Sequence, residues 1–153
     1  MDIFYKRLKM KKAVCLLVLK EVPAVIETFD ILVVERFNDN SIGLPGGKVE
    51  EDETSIQALI REIKEETNLD IKEEYLELVY GCIVGDYYCE TYGLKFKHLK
   101  DVNFADMRQI EDHNNPIFTK FSVNDFAVPS IFMEYNRGIL INCEDIIKTL
   151  KGK

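Results

Sequence analysis

The sequence predicts one domain with a mixed α/β fold, in which strands lie on both sides of a central helix and a second helix ends the chain. Apolar runs of strand length occupy residues 13–19 and 31–35, an amphipathic helical pattern starts near residue 55, and another occupies residues 142–150. The 153 residues, 46% hydrophobic and 31% charged, are typical of one soluble globular domain. We therefore expect residues 1–153 to fold as a unit.

The second half of the chain alternates between strand-like and turn-like segments. Residues 75–84 and 87–96 are rich in apolar, β-branched and aromatic side chains, so both are predicted strands. Residues 112–116 (DHNNP) predict a loop, and residues 117–123 a further strand. A proline suits the first turn of a helix, so residues 129–135 are predicted to open one. Asn142 is the expected cap of the final helix.

The central helix carries clear start and stop signals. Thr54 and Gln57 form a capping box, which places the first helical residue near Ser55. The residues spaced for one apolar face are Ile56, Leu59, Ile60 and Ile63. Asn68 is predicted to end the helix in a left-handed conformation, because Asn is the usual second choice to Gly at that position.

The opposite helix face carries a group of carboxylates next to a glycine turn. Ala58, Glu62, Glu65 and Glu66 share this face, and residues 45–47 (Pro-Gly-Gly) lie just upstream. Each pair of like charges on an exposed helix costs about 0.2–0.5 kcal/mol. Mg²⁺ would relieve this repulsion, since it binds carboxylate oxygens and shares its remaining positions with phosphates. The alternative is a solvated acidic face, which is the usual setting of charge runs.

Charge limits the class of partner. The net charge is −7 and the sequence pI is about 4.9. An acidic protein gains nothing from counterion release on a phosphate polymer, so we expect no nucleic-acid polymer as partner. Small phosphorylated ligands remain compatible with this charge if a metal and local basic residues bridge the repulsion.

The cysteines and the N-terminal region bear on location. Cys15, Cys82, Cys89 and Cys143 lack the spacing of a metal site, and Cys15 and Cys82 lie in apolar runs. These features predict core thiols in a reducing compartment. The run at residues 13–19 is too short for a signal peptide or a membrane span and has no cleavage site after it. We expect a cytoplasmic protein with no membrane partner.

Residues 43–69, GLPGGKVEEDETSIQALIREIKEETNL, resemble the Nudix box. That box has the form G-x5-E-x7-R-E-U-x-E-E-x-G-U, where U is a bulky aliphatic residue. The matching positions are Gly47, Glu53, Arg61, Glu62, Ile63, Glu65, Glu66 and Leu69. Asn68 replaces the late glycine, and the capping argument explains why asparagine can serve there.

The resemblance implies a fold and an activity. The fold would be the Nudix α/β/α sandwich with a mixed central sheet. The activity would be metal-dependent hydrolysis of a nucleoside diphosphate linked to another moiety, as in a nucleoside triphosphate, a dinucleoside polyphosphate or a nucleotide sugar, with release of a nucleoside monophosphate. Mg²⁺ or Mn²⁺ would be the cofactor, a small nucleotide the substrate, and a homodimer is compatible with the family.

The resemblance also implies roles within the box. The carbonyl of Gly46 together with Glu65 and Glu66 would be metal ligands, and Glu62 would be a ligand or the general base. Glu53 would hold a metal-bound water or a second metal. Arg61 would be structural, pinning Glu53 or Glu62 by a charge-assisted hydrogen bond.

Positions outside these box residues, together with Gly47, complete the expected site. Arg36 precedes the glycine turn, where Nudix enzymes often carry a phosphate-contacting residue, and Gly47 would let substrate approach the backbone. Glu111 or Asp112 would supply a further downstream ligand or base. Tyr87 lies where dinucleoside-polyphosphate hydrolases of the family tend to carry a tyrosine.

Two other functions compete with this hypothesis. One is a different hydrolase with an acidic helix, such as a general phosphatase, against which the fixed spacing of the box argues. The other is a non-catalytic nucleotide-sensing Nudix module. Such modules usually lose box carboxylates, whereas this chain keeps Glu53, Glu62, Glu65 and Glu66.

Overall fold

The computed structural model describes residues 10–25, 28–122, 138–139 and 141–152. The strands within these residues are β1 (Lys11–Leu17), β2 (Leu19–Glu21), β3 (Thr28–Arg36), β4 (Ser41–Gly43), β5 (Gly46–Lys48), β6 (Leu76–Val84), β7 (Tyr87–Leu94) and β8 (Asn114–Ser122). The helices are α1 (Ser55–Thr67) and α2 (Cys143–Lys151), and 3₁₀ turns occupy Glu73–Tyr75, Phe96–Asp101 and Phe104–Asp106. The helix predicted at residues 129–135 lies outside the described residues.

The strands form two sheets rather than one. The first sheet has the order β5-β1-β7-β6, in which β1 and β7 are parallel and the other neighbours antiparallel. The second sheet is antiparallel, with β3 paired to β2, β4 and β8. The predicted mixed sheet is therefore confirmed. The apolar run predicted as one strand divides at Val18, where the chain passes from the first sheet to the second.

The two helices cover opposite faces of the sheets, which confirms the α/β/α layering. On β1, Val14 and Leu16 pack in one core cluster with the buried side chains of α1. Their neighbours Cys15 and Leu17 point the other way and pack with the buried side chains of α2. Alternation of side chains along one central strand thus serves both cores. None of the helices in the described part of the chain is long and apolar enough to cross a membrane.

The predicted loop at residues 112–116 is wrong in its second half. β8 begins at Asn114, and Pro116 lies opposite Val34 within the strand pair. β8 has β3 as its one neighbour among the described strands, so Pro116 can direct its missing N–H outward, as prolines do on edge strands. Asn142 takes the predicted N-cap position of α2, but its side-chain amide donates to the carbonyl of Gly138 at 2.7 Å and makes no capping bond to the helix.

Helix α1 begins as predicted, but its buried face is rotated. The Thr54 hydroxyl accepts from the N–H of Gln57 at 3.1 Å, and the Gln57 side chain accepts from the N–H of Thr54 at 2.9 Å. Leu59 and Ile63 are fully buried, and so is Ala58, which we had placed on the acidic face. The rotation brings Glu66 to 4% exposure, at the edge of the core.

Asn68 ends α1 in the left-handed conformation, with φ 68° and ψ 9°. Its N–H donates to the carbonyl of Lys64 at 3.0 Å, and its side-chain amide donates to the carbonyl of Asp106 at 2.9 Å. The first contact closes the helix, and the second ties the end of the helix to a later segment of the chain.

Substitution of Asn68 tests this cap. Asn68→Gly is expected to leave the free energy of unfolding nearly unchanged, because the relief of backbone strain offsets the lost bond to Asp106. Asn68→Val should lower it by about 1–2 kcal/mol, since a β-branched residue is strained at positive φ. Urea unfolding of both variants provides the measurement. Equal stability of the two variants would show that residue 68 does not need the left-handed conformation.

Candidate active site

The glycine turn is fixed by close contact between β5 and β1. Gly46 lies opposite Cys15 in the strand pair, and a Cβ added to Gly46 would collide with the carbonyl oxygen of Val14. Just before it, the carbonyl of Pro45 accepts from the N–H of Leu16 at 2.9 Å. Glycine at position 46 is therefore needed for β5 to reach its partner strand.

Glu66 is the most buried carboxylate of α1 and contacts this turn. Its Oε1 accepts from the N–H of Gly46 at 2.6 Å. Burial raises the pKa of Glu66 to about 7, with further increases from the charges of Glu62 and Glu111, while the Gly46 bond and Arg36 act in the opposite direction. The structure thus assigns the amide of Gly46 to Glu66. The Gly46 carbonyl as a metal ligand stays a prediction.

Arg61 gathers the remaining acidic side chains of the box. Its Nη2 lies 2.6 Å from Glu53 Oε1 and its Nε 3.2 Å from Glu53 Oε2, a bidentate pair. Its Nη1 donates to Glu62 Oε1 at 3.0 Å and lies 3.4 Å from Glu65 Oε2. Its Nη2 also donates to the carbonyl of Lys48 at 3.2 Å. Arg61 therefore holds Glu53 and Glu62 together, where we expected it to hold one or the other.

The pKa values of Glu53 and Glu62 are shifted in opposite directions. The hydrogen bond from Arg61 is the main reason that the pKa of Glu53 is lowered. The pKa of Glu62 is raised, because burial outweighs the opposing bond and charge of Arg61. Glu62 also rests on Gly47, where an added Cβ would overlap its carboxyl group. Gly46 thus lets β5 pack closely on β1, and Gly47 leaves room for the carboxyl group of Glu62.

Two residues distant in sequence lie within electrostatic range of these carboxylates. Glu111 raises the pKa of both Glu62 and Glu66, and Arg36 lowers that of Glu66. The pairing of β3 with β8 explains the proximity, since Arg36 is opposite Asn114, three residues after Glu111. The Nε of Arg36 is buried and has no hydrogen-bond partner among the described residues.

Tyr87 lies on the face of the first sheet that is opposite to α1 and its carboxylates. It is the first residue of β7 and pairs with Lys11. Glu90, three positions later, faces α1, because the hydroxyl of Ser55 donates to it at 2.5 Å. Alternation along β7 therefore points Tyr87 away from α1. The structure does not bring it to the carboxylates.

The ring of Tyr87 instead has two lysines over it. Lys48 Nζ lies 5.6 Å and Lys11 Nζ 5.9 Å from the ring centroid. Neither lysine was predicted from the sequence as part of the site. The position of Lys48 directly after the two glycines was the one signal that could have drawn attention to it.

The donor set fits a hard divalent cation in its chemistry. Carboxylate oxygens are what such ions prefer, and the raised pKa values of Glu62 and Glu66 reflect buried negative charge that a cation would stabilise. No three Asp, Glu, His or Cys side chains of the described residues are close enough to hold a metal ion as they stand. In this arrangement, the guanidinium of Arg61 is the positive charge that contacts Glu53, Glu62 and Glu65.

The buried Glu66 predicts a pH dependence of stability in protein treated with a chelator. Its folded-state pKa, about 7, is above the ordinary value of 4.5, so the folded state binds the proton more tightly than the unfolded state. Its contribution to stability is complete below pH 4.5 and is lost as the pH rises through about 7, a loss of about 3 kcal/mol. Glu66→Gln should abolish this loss. Urea unfolding at several pH values measures it, and parallel pH profiles of the two proteins would contradict it.

Comparison with known proteins places this geometry in a family. A family model described as NUDIX domain matches residues 15–113. No match was found among curated protein sequences. Among solved structures, a MutT/nudix family protein from Enterococcus faecalis is similar with a TM-score of 0.65 and 16% identity, over 95% of this chain and 68% of that chain.

Two further similar structures carry more specific names. An Ap4A hydrolase of C. elegans, in a binary complex, has a TM-score of 0.57 and 18% identity, over 91% of this chain and 98% of that chain. A bifunctional NMN adenylyltransferase/ADP ribose pyrophosphatase from Francisella tularensis has a TM-score of 0.62 and 23% identity, over 94% of this chain and 45% of that chain. At these identities the likeness shows the fold. Because the family model spans well over half of the sequence, the chain belongs to the Nudix family of hydrolases, which act on pyrophosphate bonds.

Proposed function

We propose that the protein is a divalent-metal-dependent pyrophosphohydrolase that cleaves a nucleoside diphosphate linked to another moiety and releases a nucleoside monophosphate. The candidate substrates are a nucleoside triphosphate, a dinucleoside polyphosphate and a nucleotide sugar. The observation that carries the proposal is the cluster itself: Glu53, Glu62 and Glu65 share Arg61, and Glu66 is bonded to the glycine turn.

The residues that would hold Mg²⁺ or Mn²⁺ are Glu65, Glu66, Glu111 and the carbonyl of Gly46, with Glu62 as a further ligand if it does not act as the base. Nudix hydrolases generally use a divalent metal. Such an ion would neutralise phosphate oxygens and make water a stronger nucleophile. The N–H of Gly46 fixes one oxygen of Glu66 and leaves the other for a ligand.

Proton transfer is best assigned to Glu62. Its carboxyl group is half-buried against Gly47 and its pKa is raised by burial, which makes it a stronger base than an exposed carboxylate. Glu53 is better suited to orient Arg61, because both of its oxygens are engaged by that guanidinium. Arg61 in turn positions Glu62. In this proposal Glu53 and Arg61 act through Glu62 rather than on the substrate.

Arg36 is the candidate for contact with substrate phosphate. Its buried Nε has no hydrogen-bond partner among the described residues, a costly arrangement that a phosphate oxygen would relieve. It also lies within electrostatic range of Glu66, so a phosphate bound there would be adjacent to the carboxylate cluster. Gly47 permits close approach to the backbone of the turn. Tyr87, on the far side of the sheet, is assigned no contact with the reacting phosphates.

The proposal extends to the setting of the protein. The four cysteines are free thiols, which supports a reducing, cytoplasmic location. The proposal also includes a single domain over residues 1–153 and a small nucleotide as partner. A homodimer is the assembly to examine.

The test is a hydrolysis assay with purified protein, Mg²⁺ or Mn²⁺ and a panel of nucleotides. The panel contains nucleoside triphosphates, dinucleoside polyphosphates, ADP-ribose and sugar nucleotides, and water labelled with heavy oxygen is the solvent. We expect a nucleoside monophosphate and label in one phosphorylated product, because hydrolysis breaks one P–O bond. Activity should vanish with a chelator and in Glu62→Gln.

The same assay separates the enzyme from a nucleotide-sensing module. Calorimetry with the metal-loaded protein reports binding independently of turnover. Tight binding of a nucleotide with no conversion after overnight incubation would overturn the proposal in favour of a sensor.

A further inference from the structure

Two thiols face each other across the hairpin formed by β6 and β7. Cys82 and Cys89 are directly opposite in the antiparallel pair, and both are free. Opposite residues of such a pair have Cα atoms about 4.5–5.5 Å apart and side chains on the same face. A disulfide spans Cα distances of about 4.4–6.8 Å. The backbone therefore already holds this pair at bonding range.

The two thiols differ in access. Among the described strands, β6 lies at the edge of the first sheet and Cys82 is partly exposed on it, whereas Cys89 lies on the interior strand β7 and is 7% exposed. A small oxidant can therefore reach Cys82 first. Cys89, directly opposite on β7, is then the neighbour that can complete the reaction.

A third thiol on the same sheet face is placed too far to compete. Cys15 on β1 lies opposite Thr91, with 3.1 Å between its sulfur and the Thr91 hydroxyl, while Ala13 lies opposite Cys89. Two residues along the strand and one strand spacing separate Cys15 from Cys89, or about 8 Å between Cα atoms. This exceeds the reach of a disulfide.

We propose that Cys82 and Cys89 form a reversible thiol–disulfide pair, a modification site for low-molecular-weight disulfides such as oxidised glutathione. The thiolate of Cys82 attacks one glutathione sulfur, the glutathione disulfide bond breaks, and one glutathione thiol leaves with a solvent proton. Cys89 loses its proton to solvent and attacks the Cys82 sulfur, which releases the second glutathione. Two protein thiols are oxidised, and one glutathione disulfide is reduced to two thiols.

The chemistry predicts a slow reaction that needs alkaline conditions. Burial raises the pKa of Cys89 to about 11 and raises that of Cys82 as well, so little thiolate is present at neutral pH. The cross-link would fix the hairpin whose turn leads into Tyr87. Neither the formation nor the detection of the cross-link depends on nucleotide hydrolysis, so this proposal and the proposed hydrolase function can fail separately.

The test treats the reduced protein with oxidised glutathione at about pH 8.5, where thiolate is more abundant. Free thiols are then alkylated in denaturant, so that buried thiols also react, and the protein is digested for mass spectrometry. We expect one cross-linked peptide pair joining Cys82 to Cys89, with Cys15 and Cys143 alkylated, and recovery of all four thiols after dithiothreitol.

Two variants make the outcome decisive. Cys82→Ser should lose the cross-link and keep its circular dichroism spectrum, and Cys143→Ser, which changes the cysteine of α2, should retain the cross-link in full. Cys82→Ala provides a second removal of the thiol if serine disturbs the strand. A stable glutathione adduct on Cys82 without the cross-link, a cross-link through Cys15 or Cys143, or no modification at all would overturn the proposal.

Discussion

Glu66→Gln is expected to reduce turnover by ~10³-fold or more while the protein still folds, because the loss of one ligand charge removes several kcal/mol of transition-state stabilisation. Glutamine keeps an oxygen that can accept from the N–H of Gly46, so the contact with the turn survives. It also removes the cost of burying a charge on a side chain that is 4% exposed. Initial rates with the best substrate of the panel and the thermal midpoint are the two measurements.

The control for this variant is Glu74→Gln, which removes the same charge at an exposed position. It should leave both measurements unchanged. Near-normal turnover in Glu66→Gln would show that Glu66 is not part of the catalytic site. Loss of turnover together with a lower thermal midpoint would instead show that Glu66 serves the fold.

Alanine at the two glycines of the turn should separate folding from catalysis. Gly47→Ala places a methyl group against the carboxyl end of Glu62, a flexible side chain that can move away. We expect a folded protein whose turnover falls by ~10²-fold, the scale of a displaced catalytic group. Gly46→Ala collides with the backbone of Val14 on β1 and should lower the free energy of unfolding by about 3 kcal/mol.

Gly85→Ala is the matched control for both variants. Gly85 lies in the β6–β7 turn with φ 57° and no atom within 4 Å of an added Cβ, so its cost is backbone strain alone, about 1 kcal/mol. Urea unfolding and turnover are measured for all three. If Gly47→Ala retains full turnover, Glu62 does not need its position over the turn.

Local signals allowed the sequence to predict the central helix almost completely. The capping box at Thr54 and Gln57 and the left-handed Asn68 depend on neighbouring residues alone, so their chemistry is visible in the sequence. The rotation of the buried face was not visible. It depends on how α1 packs on β1, which makes Ala58 part of the core and leaves Ile60 partly exposed.

Non-local pairing accounts for the errors in the strands. β8 starts at Asn114 because it pairs with β3 over nine residue pairs, and a segment rich in Asn and Pro gives no local sign of this. The division of the first apolar run into β1 and β2 likewise depends on which partner strand each half meets.

The candidate site shows the same contrast between local signals, which are visible in the sequence, and non-local pairing, which is not. The carboxylates of one helix were predicted to lie together; Glu62 and Glu65 share Arg61, whereas Glu66 is bonded to Gly46. Glu111 came only from the family resemblance, since no local pattern marks a loop residue that the β3–β8 pairing brings near the helix. The side of the sheet that Tyr87 faces could not be predicted, because a strand's alternation gives two faces without saying which one a distant helix covers.

The cap at Asn68 has a consequence for how members of this family can exchange loops. Its side chain holds the carbonyl of Asp106, and the carbonyl of Thr67 accepts from the N–H of Arg108 at 3.1 Å, so two bonds anchor the segment that leads to Glu111. A relative with glycine at this position lacks the first anchor. If residues 103–111 were grafted into such a relative, the segment that leads to Glu111 would be held by one of these two bonds rather than both. Asn68 would therefore have to be transferred together with the loop.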